Sequence, residues 1–315
     1  MPLNKRLFDR TLRFSFTKDG QTITLPKELN SNVFANFDFQ SGSNSMDIEI
    51  FNVAGQPDLF EILRGSTLRI EAGYGDNVLL LAEQEVVRAN YVKERVTTTL
   101  ILETEESYSF LKDTTISLSF SEDTPFSQVL SRVTEAFSLP VRLPRRPIST
   151  ESFITGYSFE GKPFEALQEL QNFEFFNFAF FNGELVILRF DDFLLNEKIT
   201  LSKKDGFIKP PEFIEDIGFT AADDDAIRPG IKLTTFVLPQ LICGIELEIE
   251  NLSTTYRVES INHDLSSRSG NFATTIEAYA TNVTPFSLLR DMRISQQNAQ
   301  IPSSAQPKGP LSRFR

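Results

Sequence analysis

Alternation of apolar and polar positions is the dominant pattern in this chain, and it predicts strands. From Gly65 to Thr104, Leu68, Ile70 and Ala72 alternate with Arg69 and Glu71, which gives one apolar and one polar face. Gly73–Asn77 supplies a turn, Val78–Val87 returns, and the β-branched run Arg95–Leu102 makes a third strand. The same alternation runs through Leu12–Phe16, Thr22–Leu25, Asn32–Gln40 and Met46–Val53, with a bulge expected at Val33 or Phe34. Pro57–Leu63 reads as a short helix with Phe60 and Leu63 inward. Residues 1–105 are thus expected to form one β-domain carrying that single helix.

The period changes near Ser107. Thr115–Phe120 alternates, and Thr124-Pro125 then signals a helix start, a capping hydroxyl followed by proline in the first turn. Phe126, Val129, Leu130, Val133 and Phe137 share one helical face, and Leu139-Pro140 ends it. Phe164, Leu167, Leu170 and Phe173 mark a second helix. Glu174–Phe181, Asn182-Gly183 and Glu184–Phe190 then spell a hairpin on a type I′ turn. Residues 106–200 are expected to be a small α+β domain.

Residues 200–230 look irregular, with Pro210-Pro211 in a crossing loop. Strands resume at Ile231–Leu238, Gly244–Glu250, Tyr256–Asn262 and Asn271–Ala280, a second β-domain within residues 201–285. This region echoes the first. Gly65–Ile70 (GSTLRI) matches Gly244–Ile249 (GIELEI), Glu85–Asn90 (EVVRAN) matches Arg257–Asn262 (RVESIN), and Thr98–Glu103 (TTLILE) matches Thr274–Glu277 (TTIE). The steps from Gly65 to Thr98 and from Gly244 to Thr274 are 33 and 30 residues, so an internal duplication is expected. Phe286–Ile294 reads as a turn or two of amphipathic helix, and residues 296–315 as disordered when alone.

Composition narrows the chemistry. The chain has 30 Phe, 6 Tyr and no Trp, which suits β cores and packed interfaces better than sugar sites. One cysteine, Cys243, excludes an intrachain disulfide or a cysteine zinc cluster, and its apolar setting predicts a small buried hydrophobe. No signal peptide and no membrane-spanning helix are expected. Residues 1–285 hold 26 Lys and Arg against 42 Asp and Glu, whereas residues 286–315 hold five basic residues and one acidic. An acidic body argues against wrapping nucleic acid, yet it permits a wall that DNA passes without sticking.

Candidate reactive groups are few. Asp223-Asp224-Asp225 offers carboxylates for a hard cation, but adjacent acids need ligands from elsewhere. His263-Asp264 is half of a hydrolytic triad, with no serine placed to complete it. Arg142, Arg145 and Arg146 form a basic, proline-rich loop that either meets an acidic partner or is simply solvated. No phosphate-binding or zinc-hydrolase motif is present. No catalytic, metal or cofactor-binding residues are therefore assigned.

The ordered short motifs resemble the baseplate hub proteins of tailed phages, a family shared with contractile injection systems and type VI secretion spike hubs. They are Ala72–Gly75, Gly156–Gly161 before the ALQEL helix, Phe181–Ile187, Leu201-Ser202 with Gly206–Ile208, Arg228–Gly230, Tyr256–Asp264 and Ala273–Ala278. Ala82–Glu85 departs from the pattern, where relatives often place a glycine after the turn-back strand. The resemblance implies a mainly β fold, two tube-like antiparallel β-domains flanking a smaller α+β domain. It also implies a non-enzymatic virion protein of the tail baseplate, assembled in the host cytoplasm. The expected form is a homotrimer adapting a six-fold tail tube, or distal tube-like protein, to a three-fold central spike. Tape measure protein and neighbouring baseplate subunits are further expected partners, with DNA only as passing cargo and no membrane insertion. The alternative is a receptor- or glycan-binding tail-tip protein, with a cell-wall hydrolase third.

Overall fold

The computed structural model describes residues 9–39, 44–53, 63–106, 114–144, 146–174, 176–189, 192–194, 198–202, 206–216 and 228–281. The expected helix at Pro57–Leu63, Asp223–Asp225, Arg145 and the whole of 286–315 lie outside these residues, except for the buried Leu63. The fold is mainly β. In chain order the strands are β1 (Arg10–Lys18), β2 (Gln21–Thr24), β3 (Ser31–Asp38), β4 (Ser45–Phe51), β5 (Thr67–Tyr74), β6 (Asn77–Glu94), β7 (Thr97–Glu105), β8 (Ile116–Phe120) and β9 (Thr124–Pro125). Helix α1 (Phe126–Glu135), β10 (Val141–Arg142), β11 (Ser152–Phe153), β12 (Tyr157–Gly161), helix α2 (Pro163–Phe173), β13 (Phe176–Phe181) and β14 (Glu184–Arg189) follow. The chain continues with β15 (Lys198–Leu201), β16 (Glu212–Asp216), β17 (Arg228–Phe236), β18 (Glu246–Ile249), β19 (Thr255–Ser266) and β20 (Phe272–Ala280).

Thirteen strands share one sheet, ordered β16-β17-β20-β19-β3-β4-β7-β6-β5-β1-β2, with β18 beside β19 and β15 beside β18. The early and late strands meet at the antiparallel pair β3–β19, where Phe37 faces Ile261 and Ala35 faces His263. Among the described residues the sheet does not close on itself. Its inner face carries the alternating apolar set, including Phe14, Phe16, Ile48, Ile70, Leu102, Leu233, Ile261 and Ile276, in one core. A core of this kind is the main stabilising term, roughly 1.5–3 kcal/mol for each fully buried large side chain.

The repeat is written in the backbone. β5-β6-β7 and β18-β19-β20 are both antiparallel meanders. β6 bulges between Val86 and Arg88, and β19 between Val258 and Ser260, the positions matched in sequence. Gly65 N–H donates to Val86 O (2.9 Å) and Val86 N–H to Ser66 O (2.9 Å). Gly244 N–H donates to Val258 O (2.7 Å) and Val258 N–H to Ile245 O (3.2 Å). Both glycines have positive φ, +72° and +93°, a conformation that costs other residues about 1–2 kcal/mol. The third matched pair is displaced by two residues, because Arg88 faces Glu103 and Ser260 faces Glu277. Glu103, not Ile101, is therefore equivalent to Glu277. The flanking order repeats too: β3-β4-β7-β6-β5 runs parallel to β16-β17-β20-β19-β18.

The remaining elements form a three-stranded sheet, β10-β14-β13, two short ribbons and the two helices. The hairpin β13–β14 explains its nearly unbroken apolar sequence. Phe178, Phe180, Leu185 and Ile187 pack with α1 and α2, while Ala179, Phe181, Val186 and Leu188 pack on the large sheet. A strand buried on both faces has no polar side to show. Asn182 and Gly183 both have positive φ, as the type I′ turn requires.

Three expectations need correction. β3 carries no register shift, because its partners β4 and β19 are both regular along it, and the bulges lie in β5–β6, β6–β7 and β19–β20 instead. Thr124 does not cap α1, since its hydroxyl donates to Ser121 O (2.8 Å). Finally, residues 200–230 are not all irregular: β16 pairs with β17 just after Pro210-Pro211.

Candidate functional site

The outer face of the large sheet is where this fold places its polar residues. Strand alternation sends Asp264, Phe34, Asp47, Glu103 and Arg88 to that face, and the register sets them side by side across five strands. A second row reads Asn262, Asn36, Ser45, Glu105 and Glu85. In the later half Lys232 faces Glu277 and holds it at 2.7 Å. The surface is thus predominantly acidic and continuous across the β3–β19 joint. Asp47 opposite Glu103, and Glu85 opposite Glu105, are like-charge pairs, which cost stability when directly opposed. Arg88 relieves Glu103 at 2.8 Å, but both side chains are well exposed, so the pair contributes little. Such a face repels polyanions over about a Debye length, ~8–10 Å.

The candidate reactive residues take structural places. His263 points into the core, with Nδ1 against Thr274 Oγ1 (2.9 Å) and its ring edge-on to Phe37. Burial pulls its pKa down to about 3, so it is neutral. Asp264 points the opposite way and accepts from Asn271 Nδ2, so the two adjacent residues cannot act together. Cys243 is buried, its thiol against Phe37 O (3.4 Å), and burial pushes its pKa well up. It packs as the small hydrophobe expected. Arg142 pairs with Glu184 and Arg146 with Asp192 (3.4 Å), which fastens the basic loop to its own chain. Among the described residues no group of three His, Cys, Asp or Glu could hold a metal, and no helix is long and apolar enough to cross a membrane.

Two buried ionisable groups were not legible in the sequence, and both fasten the inserted hairpin to the sheet. Glu106, at the end of β7, accepts from Gly183 N–H (2.6 Å) at the hairpin turn. Burial raises its pKa to about 7. Arg257, beside the bulge of β19, is fully buried and donates to Arg189 O (2.6 Å) and Glu259. The hairpin turn therefore binds the first repeat and its far end the second. Only the long-range register reveals this.

No family model and no curated protein matches the sequence. Solved structures do. The 43 kDa tail protein of prophage MuSo2 from Shewanella oneidensis aligns with a TM-score of 0.59 at 14% identity, over 87% of this chain and 99% of that one. A tail protein from Neisseria meningitidis aligns at 0.58 and 10% identity, over 86% and 97%. An E. coli component of the type VI secretion system, described as structurally similar to T4 phage tail proteins gp27 and gp5, aligns at 0.53 and 9%, over 85% and 76%. This chain has the fold of those tail proteins. At such identities the likeness concerns the backbone, and the repeated meander with its acidic outer face is what the fold builds here.

Proposed function

We propose that this protein is a structural hub of a phage-tail-like particle, in which three copies form a ring between a six-fold tube and a three-fold spike. The observation that carries this is the duplicated meander, down to the matched hydrogen bonds in which Val86 accepts from Gly65 and donates to Ser66, and Val258 accepts from Gly244 and donates to Ile245. Two similar units per chain turn a three-fold ring into six similar surfaces, which is the geometry a symmetry adaptor needs. The acidic outer face of the sheet then lines the bore, where DNA passes without adhering. Likeness to solved tail proteins and to a type VI secretion component supports the same reading. The division into residues 1–105, 106–200 and 201–285 serves it as two ring-forming units and one outward module. The role is mechanical, with no turnover, and its setting is the virion tail after assembly in the host cytoplasm.

Light scattering on the purified chain tests this. A trimer is expected, alone or on addition of the spike protein; a stable dimer would contradict it.

A further inference from the structure

The two repeats are joined to each other inside the chain by the pair β3–β19. Superposing the repeats through their bulges takes β19 onto β6 (Ser260 onto Arg88) and β20 onto β7 (Glu277 onto Glu103). The pairings of β4 with β7 and β17 with β20 then take Asp47 onto Lys232, and those with β3 and β16 take Ala35 onto Phe213. Inside the chain, β3 of the first repeat pairs with the C-terminal half of β19 in the second. The equivalent partners, β16 and the arm of β6 beyond the bulge, are not joined to each other. Among the described residues, β16 pairs only with β17, and the arm Arg88–Glu94 pairs only with β7. Six strands separate these two open edges along the sheet.

We propose that β16 of one copy adds antiparallel to the β6 arm of the next, in the register of the β3–β19 joint. This deepens the hub reading and rests on it. Transferring the register places Val92 opposite Glu212, Tyr91 opposite Phe213 and Asn90 opposite Ile214 of the neighbouring copy. Two of the large apolar side chains exposed in one copy, Phe213 and Val92, lie in this joint. Phe213 is 72% exposed, although its equivalent Ala35 is 3% exposed beside β19. Val92, on the arm, is 38% exposed. Phe213 across from Tyr91 makes a cross-strand aromatic pair, which adds to the backbone pairing. Pro211, with no N–H to donate, limits the joint to the short strand. Two different edges joined head to tail generate a ring when the rotation closes, and open edges are otherwise an aggregation hazard.

The test is a double variant of the full chain, Val92→Cys with Glu212→Cys, both at exposed positions and with native Cys243 buried. Under mild oxidation, non-reducing electrophoresis should show covalent trimers that collapse to monomers with thiol, whereas each single variant stays monomeric. Phe213→Asp should lower the association constant at least tenfold with an unchanged circular dichroism spectrum. A trimer by light scattering with no linked species would overturn the joint and leave the hub reading standing. A chain that is monomeric even with its spike partner would overturn both, and a linked ladder extending past three would overturn ring closure.

Discussion

The two meanders share a backbone and differ in what surrounds them. At the first, Glu85 precedes the bulge on the polar face; at the second, the equivalent Arg257 is fully buried under the chain leaving β14. Gly65 has open space around its missing side chain, whereas a Cβ on Gly244 would meet Leu188, Leu194 and Phe39 at 3.0–3.2 Å. The backbone hydrogen-bond pattern is what the repeats hold in common. Side chains diverged because the hairpin offers its turn to one repeat and its far end to the other.

The largest expected difference follows from Arg257. Arg257→Ala removes a fully buried side chain together with its bonds to the Arg189 carbonyl and to Glu259, and should cost about 3–5 kcal/mol in chemical denaturation. Glu85→Ala at the equivalent site should stay within about 0.5 kcal/mol. Equal losses would show that the two bulges are not differently loaded.

Next come two buried titrating groups of opposite sign. Glu106 has a folded pKa of about 7, above its ordinary 4.5, so its carboxyl costs nothing below pH 4.5 and erodes stability as pH rises from 4.5 to 7. The loss approaches roughly 3 kcal/mol. Glu106→Gln, which keeps an acceptor for Gly183 N–H, should remove that erosion. His263, with a folded pKa of about 3 against 6.5, does the reverse, and stability falls as pH drops from 6.5 toward 3. Between pH 4.5 and 6.5 the two nearly cancel, so the Glu106→Gln protein should show the histidine-driven acid loss that the parent masks. Melting temperatures of both across pH 4–8 check this, and superimposable profiles would contradict it.

Much of this was legible. Strand alternation, the Asn182-Gly183 turn and the matched valines at the bulges were readable because each is a local signal. What was hidden is long-range. β6 continues seven residues past Val87, through Arg88–Glu94, because β7 pairs with it there, and nothing in its mixed polarity marks a strand. β16 follows two prolines and runs only from Glu212 to Asp216, too short for periodicity to register. The burial of Arg257 and Glu106 depends on a hairpin distant in sequence.

The glycines give a smaller contrast. Gly244→Ala should cost about 2–3 kcal/mol, the positive-φ strain plus the contacts, and Gly65→Ala about 1–2 kcal/mol from strain alone. Thermal denaturation separates them. The smallest effect is on the acidic face: Asp47→Asn relieves the pair with Glu103 and should stabilise by up to about 1 kcal/mol.

The most direct measurement is an image of the assembled particle viewed along its axis, averaged without imposed symmetry. The expected result is a three-fold ring bearing six near-equal lobes around an open bore. A ring with three lobes, or a two-fold particle, would contradict the duplication as the basis of symmetry matching.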